Sequence, residues 1–304
     1  MSQVLFSFPN QTADLFRILL AGVIFFAGIG LLPAAAEPLP WDLLKGGLRI
    51  ALWIPPLTCP DVPPLIAIEI DPDRYRFAVH YYRNDRFDEP PDIQEWQTRT
   101  GHDLVFNAGL FRENFAYLGL LYGEGRSLGG KQHATWLGLF AAEPTVSSTA
   151  PARIMDLAVE SFDEQRPPYR EAAQSLMLLD QTGKIRVRRT GKMAQQTIVA
   201  EQENGKILLF KTTQSAGLYE IGQCLHQSFP TVRRAMAMDG GSSSDFALAA
   251  RLNQAASTSR TAPAWKPFLN ETGSIHIGLP AIIGISPRPE RSRPSIVQQQ
   301  PERR

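Results

Sequence analysis

The sequence predicts an α+β fold with a mixed, largely antiparallel sheet and few helices. Short strand-like runs rich in β-branched and aromatic residues recur along most of the chain, and Gly-containing turns connect several of them. Only two segments carry helical signals, and hairpins outnumber strand–helix–strand units, which disfavours a doubly wound parallel sheet. The chain contains neither a GxGxxG fingerprint nor a P-loop, so nucleotide binding has little support.

The composition is that of a folded chain without a charge bias. The 304 residues include 31 Lys+Arg and 30 Asp+Glu, and 43% are hydrophobic. This hydrophobicity and low net charge exclude a largely disordered protein. The net charge of +1 gives no global attraction to nucleic acid, so we expect no nucleic-acid partner. The length allows one large or two small domains.

The N-terminal region has the layout of a secretory signal peptide. Residues 18–32 form an uncharged apolar run, and the small-x-small signal Ala34-x-Ala36 follows it. We therefore predict a signal peptide over residues 1–36. An uncleaved membrane anchor through residues 18–36 is an alternative, because this longer stretch can span a bilayer, and a buried core helix is a third. The first two place the protein in the periplasm or outside the cell.

The remaining chain divides into three parts. Residues 37–64 are rich in proline and are expected to form a loose lead-in. Residues 65–285 form the predicted domain, and residues 286–304, rich in Pro, Arg and Gln, are expected to be disordered.

Within the domain, the elements follow from local patterns. Strands are predicted at residues 65–70, 77–82, 104–106, 118–122, 136–140, 176–179, 185–189, 197–200, 207–211 and 235–238. Tight turns, in which Gly supplies a positive φ, are predicted at residues 123–125, 181–184 and 203–206. Helices are predicted at residues 92–100 and 214–228.

The chain has two cysteines, Cys59 and Cys224. An oxidising compartment permits a disulfide between them. Cys224 also lies on a helical apolar pattern, so a buried free thiol is equally consistent with the sequence. Neither cysteine belongs to a CxxC motif or a Cys/His cluster, and we predict no metal site and no cofactor.

The most informative stretch begins at Asp239, directly after an apolar strand-like run. Gly240 and Gly241 follow, and such a pair lets the backbone turn tightly and approach a ligand with its amides exposed to an anion. Ser242 and Ser243 add hydroxyl donors. Asp239 is a candidate general acid or base, nucleophile or ligand positioner. The alternative is an ordinary Asp-Gly-Gly hairpin turn.

A second stretch repeats this pattern. Asn107 ends another apolar run, and a small-Gly pair and an aromatic residue follow. Asn107 is a candidate for binding a substrate hydroxyl, and Arg112 can pair with a phosphate in a bidentate manner. The alternative is a bulged strand end with a structural Asn.

Together the two stretches resemble the phosphodiester glycosidase family, in particular its bacterial branch. The family has an early Asn-(Gly/Ala)-Gly-x-Phe element and a late Asp-Gly-Gly-x-Ser-Ser element, which correspond here to residues 107–111 and 239–244. Residues 174–178, which begin with Gln174, are similar to its central Gln-containing strand. The resemblance covers residues 65–248.

The resemblance implies an exported hydrolase that cleaves the glycosidic bond of a sugar-1-phosphodiester, with a sugar-phosphate or glycan as its partner. Asp239 and Asn107 would be the catalytic residues. The substrate-binding residues would be Gly109, Arg112, Gln174, Gly240, Gly241, Ser242 and Ser243.

Two other functions fit the sequence. Family members commonly carry an arginine before the strand predicted at residues 197–200, where this chain has Gln195-Gln196. This departure favours a non-catalytic carbohydrate-binding or envelope-assembly protein that uses the same cleft. A membrane-anchored partner module that acts through its basic tail is a third hypothesis.

Overall fold

The computed structural model describes residues 39–255, 263–269 and 276–289. The strands of these residues are β1 (Asp42–Lys45), β2 (Leu48–Trp53), β3 (Leu65–Ile70), β4 (Tyr75–Tyr81), β5 (Leu104–Asn107), β6 (Leu121–Gly123), β7 (Arg126–Ser127), β8 (Gly138–Pro144), β9 (Ala152–Asp156), β10 (Tyr169–Leu179), β11 (Thr197–Gln202), β12 (Ile207–Thr212), β13 (Val232–Ala237), β14 (Phe246–Leu248) and β15 (Ala281–Pro287). The helices are α1 (Ile93–Thr100), α2 (Leu218–Ser228) and α3 (Ala250–Ala255).

These strands form a large and a small sheet. The large sheet follows the order β1-β2-β3-β12-β11-β13-β10-β6-β7, and β8 pairs with both β10 and β9. The small sheet has the order β14-β5-β15-β4. Every pairing among the described strands is antiparallel. The α+β class with largely antiparallel sheets and few helices is thereby confirmed.

Side chains from both sheets form the main hydrophobic core. In β3, Ile66 and Ile68 contribute to this core, whereas Leu65 and Ala67 contribute to a second cluster on the opposite face. Helix α2 covers that second face and buries Ile221 there. Because both faces of the large sheet are buried, its strands have continuous apolar sequences, which explains why most of them were predictable.

The ends of α1 follow the expected capping chemistry. The Asp92 side chain accepts a hydrogen bond from the Glu95 amide at 2.8 Å, and Gly101 ends the helix with a φ of 66°. Trp96 is fully buried, and its Nε1 donates to the Leu279 carbonyl at 2.8 Å. The first predicted helix is confirmed.

The prediction that residues 37–64 form a loose lead-in is wrong. Strand β2 pairs with β3 from Leu48 opposite Ile70 to Trp53 opposite Leu65, so the domain begins before residue 65. The prolines of this region stand before β1 and after β2, where they remove no hydrogen bond from the sheet.

Two further boundaries differ from expectation. The predicted strand at residues 185–189 is wrong, because only Ile185 forms an isolated bridge, with Leu179, before the chain leaves the sheet. At the other end, β15 extends to Pro287, and Arg288 makes a bidentate ion pair with Glu143, with both distances 2.7 Å. The predicted tail is therefore ordered at its start, and its remainder from residue 290 lies outside the described residues.

Cys59 and Cys224 form a disulfide, which decides between the two alternatives for these residues. The bond joins the segment after β2 to α2 across a sequence separation of 165 residues. Closing so long a loop stabilises a fold by about 5 kcal/mol in the chain-entropy account.

The predicted signal or anchor segment, residues 1–36, lies outside the described residues. Among those that are described, no helix has the length and apolar character needed to cross a membrane.

Candidate active site

The Asp-Gly-Gly corner follows β13, a central strand of the large sheet. A Cβ on Gly240 would lie 2.8 Å from Gln196 Oε1 and 3.0 Å from the Gln195 carbonyl oxygen, so a larger residue would crowd both groups. Gly241 has a φ of 68°, which a residue without a Cβ adopts readily. The two glycines therefore serve different purposes, a close approach and a left-handed turn, and together they hold Asp239 beyond the end of the strand.

The Asn107 corner meets the Asp239 corner. The Asn107 Nδ2 donates to the Asp239 carbonyl at 2.8 Å, and its Oδ1 accepts from the Asp245 amide at 3.1 Å. The Asp239 amide in turn donates to the Ala108 carbonyl at 3.1 Å. Asn107 is only 1% exposed, and its amide is committed to both ends of the loop that follows Asp239. Its place in the structure is that of a positioning residue behind the cavity.

A cavity of about 510 Å³ opens over the Asp-Gly-Gly corner. Asp239, Gly240 and Gly241 line one side of it. The other lining side chains that carry charge or an aromatic ring are Trp136, Arg186, Arg188, Lys192, Tyr219 and Glu220. This volume is within the range of small-molecule sites.

The electrostatics of Asp239 are set by opposing influences. Burial raises the pKa of its carboxyl above the ordinary value, and this effect is the largest. A hydrogen bond from the Ser243 hydroxyl, another from the Gly240 amide at 3.0 Å, and the positive charge of Lys192 act in the opposite direction. A carboxyl with a raised pKa is a stronger base than an exposed Asp, which suits proton transfer.

The cations of the cavity fall into two kinds. Arg186 pairs with Asp156 and Asp180, at 3.2 Å in each case, and its charge is neutralised. Arg188 and Lys192 are exposed and form no salt bridge within the part of the chain that the structure describes. They are therefore available to an anionic ligand.

Gln174 lies behind the wall of the cavity and not in it. Its Oε1 accepts from the amides of Leu120 and His133, both at 2.9 Å, and its Nε2 donates to the carbonyls of His133 and Trp136. These contacts satisfy both ends of a fully buried amide. Gln174 thus fixes the loop that carries Trp136 into the cavity.

The other predicted site residues have separate positions. Gly109 is buried, and its amide donates to the Tyr117 hydroxyl at 3.0 Å. Ser243 is buried against Asp239, while Ser242 is exposed and does not line the cavity. Arg112, predicted to bind a substrate phosphate, does not line the cavity of Asp239 but a neighbouring cleft.

Sequence reasoning missed the basic segment that supplies the charge. A strand was predicted at residues 185–189 because Ile185 and Val187 alternate with arginines there. Arg188 lies within this predicted strand, and Lys192 follows it. A cluster of cations shortly before the Gln195-Gln196 pair was the available signal.

A sequence model of the phosphodiester glycosidase family matches residues 101–266, more than half of the chain. The chain belongs to the phosphodiester glycosidase family. Membership supports a glycosidase-type hydrolase. The match includes both polar corners and begins after α1, so the resemblance that the sequence showed before residue 101 stays a prediction. No curated protein matches the chain.

Two solved structures share the fold of this phosphodiester glycosidase family member. A hypothetical protein from Synechocystis has a TM-score of 0.55 at 12% identity, over 84% of this chain and 65% of that chain. The catalytic domain of zebrafish N-acetylglucosamine-1-phosphodiester alpha-N-acetylglucosaminidase, auto-inhibited by its pro-peptide, has a TM-score of 0.54 at 13% identity, over 79% of this chain and 82% of that domain. The chain therefore spans about two thirds of the length of the Synechocystis protein.

Proposed function

We propose that this protein is an exported hydrolase that cleaves the glycosidic bond of a sugar-1-phosphodiester. The observation that carries the proposal is one cavity that holds a buried carboxyl, Asp239, together with two cations, Arg188 and Lys192, that form no salt bridge with any described residue. Family membership supports the class of reaction.

The phosphate side of the substrate would lie against the basic segment. Arg188 and Lys192 offer charge-assisted hydrogen bonds to phosphate oxygens. They stand in the chain shortly before Gln195 and Gln196, where the family commonly carries an arginine. The Gln195 carbonyl instead accepts from the Gly241 amide at 2.8 Å and helps to hold the corner. The charge that this position lacks is thus supplied from the neighbouring segment.

The chemistry would centre on the sugar side. The leaving group, a phosphate monoester, is weakly basic, so the bond between the anomeric carbon and the bridging phosphate oxygen breaks with little help from an acid. The larger need is to stabilise the oxocarbenium-like sugar and to activate water. Asp239, as a carboxylate, takes a proton from the water that attacks the anomeric carbon, while Lys192 and Arg188 receive the charge that develops on the departing phosphate.

Export is supported by the disulfide. Bridges such as Cys59–Cys224 persist in oxidising compartments and are rare in the cytosol. Together with the predicted N-terminal signal, this favours a periplasmic or secreted protein.

The test is turnover on a panel of synthetic sugar-1-phosphodiesters that differ in sugar and in anomeric configuration. We expect the purified protein to release free sugar and a phosphomonoester from at least one of them, as followed by phosphorus NMR. Retention of the compounds without any product would favour the carbohydrate-binding alternative and overturn the hydrolase proposal.

A further inference from the structure

A second cleft carries positive charge that its own walls do not neutralise. It has a volume of about 610 Å³, and its lining includes Arg83, Arg112 and Lys131 together with Gly129 and Gly130. No carboxylate is among the described residues that line it. A cleft of this size and charge suits an anionic ligand.

The three cations are free to act on such a ligand. Arg112 and Lys131 are exposed, and neither side chain makes an ion pair or a hydrogen bond within the described residues. Arg83 is held by uncharged groups: its Nε donates to the Tyr82 hydroxyl at 2.7 Å, and a terminal nitrogen donates to the Asn114 carbonyl at 3.3 Å. Its charge is therefore positioned but not neutralised.

The cleft adjoins the cavity of Asp239, because the same two segments form walls of both. Residues 129–134 line the cleft, and residues 135–137, which follow directly, line the cavity. In the segment after β5, Leu110 lines the cavity and Arg112 lines the cleft. Two residues of chain span at most about 7 Å, so the linings of the two sites approach each other within about that distance at this segment.

The loop between the two sites is held firmly. The rings of His133 and Trp136 stack with centroids 3.9 Å apart and an interplanar angle of 17°. His133 lines the cleft and Trp136 lines the cavity. Gln174 binds the backbone of both residues, as described above. The segment of chain that separates the two sites at residues 133–136 is therefore held in place by hydrogen bonds from the buried Gln174 side chain.

We propose that this basic cleft binds a second phosphodiester of a chain of repeating sugar phosphates, while Asp239 acts on the neighbouring unit. The inference rests on the proposed hydrolase function and names its substrate class. A polymer with one negative charge per repeat matches cations in both sites, whereas a neutral glycan would leave Arg83, Arg112 and Lys131 without a partner in the cleft.

The test compares the binding of a glycosyl-phosphate oligomer of several repeats with that of its single-phosphodiester unit. Calorimetry is performed in an Asp239→Asn background, so that neither compound is consumed. We expect about tenfold tighter binding of the oligomer, the gain typical of one additional charge-assisted contact. An Arg112→Gln/Lys131→Gln double substitution should reduce this preference to about one.

The matched control is Arg126→Gln/Lys184→Gln, which removes the same two charge types from exposed positions that line neither site. This control should keep the oligomer preference. Equal affinity of the parent protein for oligomer and unit, or a preference that survives the Arg112/Lys131 substitutions, would overturn the proposal. A sulfated glycan of equal charge that binds as tightly as the phosphate oligomer would overturn the assignment to phosphodiesters.

Binding and turnover are read separately, so the two proposals fail separately. If the parent protein cleaves none of the sugar phosphodiesters but prefers the oligomer through Arg112 and Lys131, the cleft assignment is supported and the hydrolase function is not. If it cleaves the single unit and shows no oligomer preference, the hydrolase function stands and the cleft assignment is wrong.

Discussion

The two polar corners at the ends of β13 and β5 have the same kind of sequence but opposite surroundings. Asp239 reaches a cavity, where burial raises the pKa of its carboxyl. Asn107 is 1% exposed and bonds the backbone at Asp239 and Asp245. An apolar strand that ends in a polar residue and glycine can thus deliver either a reactive group or the support that holds one. Substitutions at the two corners should therefore separate activity from stability.

The largest effect is expected for Asp239→Asn. If Asp239 is the general base, the substitution lowers kcat by about 10² to 10⁴. The fold should not suffer. Because burial raises the pKa of the carboxyl, its contribution to stability is present below the pKa of the unfolded chain and is lost as the pH rises through the folded value. The Asn variant should therefore be more stable than the parent at neutral pH, as measured by chemical denaturation. Activity within a fewfold of the parent would contradict this role.

For Asn107→Ala, in contrast, the main expected effect is on stability and not on activity. It leaves the Asp239 carbonyl and the Asp245 amide without their partner, and we expect a loss of about 2–4 kcal/mol in the free energy of unfolding. The control is Asn84→Ala, at an exposed position. Equal stability of the two variants would show that Asn107 does not hold the corner, and would return it to the candidates for substrate contact.

Gln174→Met tests the support of the cavity wall. The substitution keeps the volume of the side chain but removes its bonds to His133 and Trp136. Hydrogen exchange in residues 129–136 should accelerate, and KM should rise severalfold with a smaller change in kcat, because Trp136 is displaced and Asp239 is not. A lowered kcat with unchanged KM and unchanged exchange would place Gln174 in the chemistry instead.

The smallest expected effect is a shift in the pH profile, which Ser243→Ala and Lys192→Gln should both cause through the pKa of Asp239. Lys192→Gln also removes one of the two cations proposed to bind the phosphate, so for this variant only the position of the acid limb, and not the maximal rate, tests the effect on the pKa. The Ser243 hydrogen bond and the Lys192 charge each lower the pKa of this carboxyl, so removing either one raises it. Since the carboxylate is the active form, the acid limb of the kcat/KM profile should move to higher pH in both variants. Lys184→Gln is the control for a general charge effect. A shift to lower pH would mean that the titrating group is not Asp239.

Local chemistry explains what could be predicted. Gly240 and Gly241 mark a corner because a close approach and a positive φ each leave a signature in the sequence. The cap and stop of α1 were visible for the same reason. A structural role for Asn107 was one of two alternatives, but its partners could not be predicted, because Asp239 and Asp245 lie 132 and 138 residues away.

Features that arise from tertiary packing could not be predicted from the sequence. Arg188 and Lys192 are exposed, and the alternating pattern before them predicted a strand, so only the folded chain shows that this segment borders Asp239. Strand β2 was hidden by the prolines around it, since its evidence is the pairing with β3 and not its own composition.

The covalent link between Cys59 and Cys224 reaches further than stability. Cys224 stands one helical turn after Glu220, and Glu220 with the preceding Tyr219 borders the cavity. A thiol reductant would break the link between this end of α2 and the segment after β2, and one wall of the substrate site would become less firmly held. Activity should therefore decrease under thiol treatment before the sheets unfold. The protein would then become fully competent only where its thiols can be oxidised.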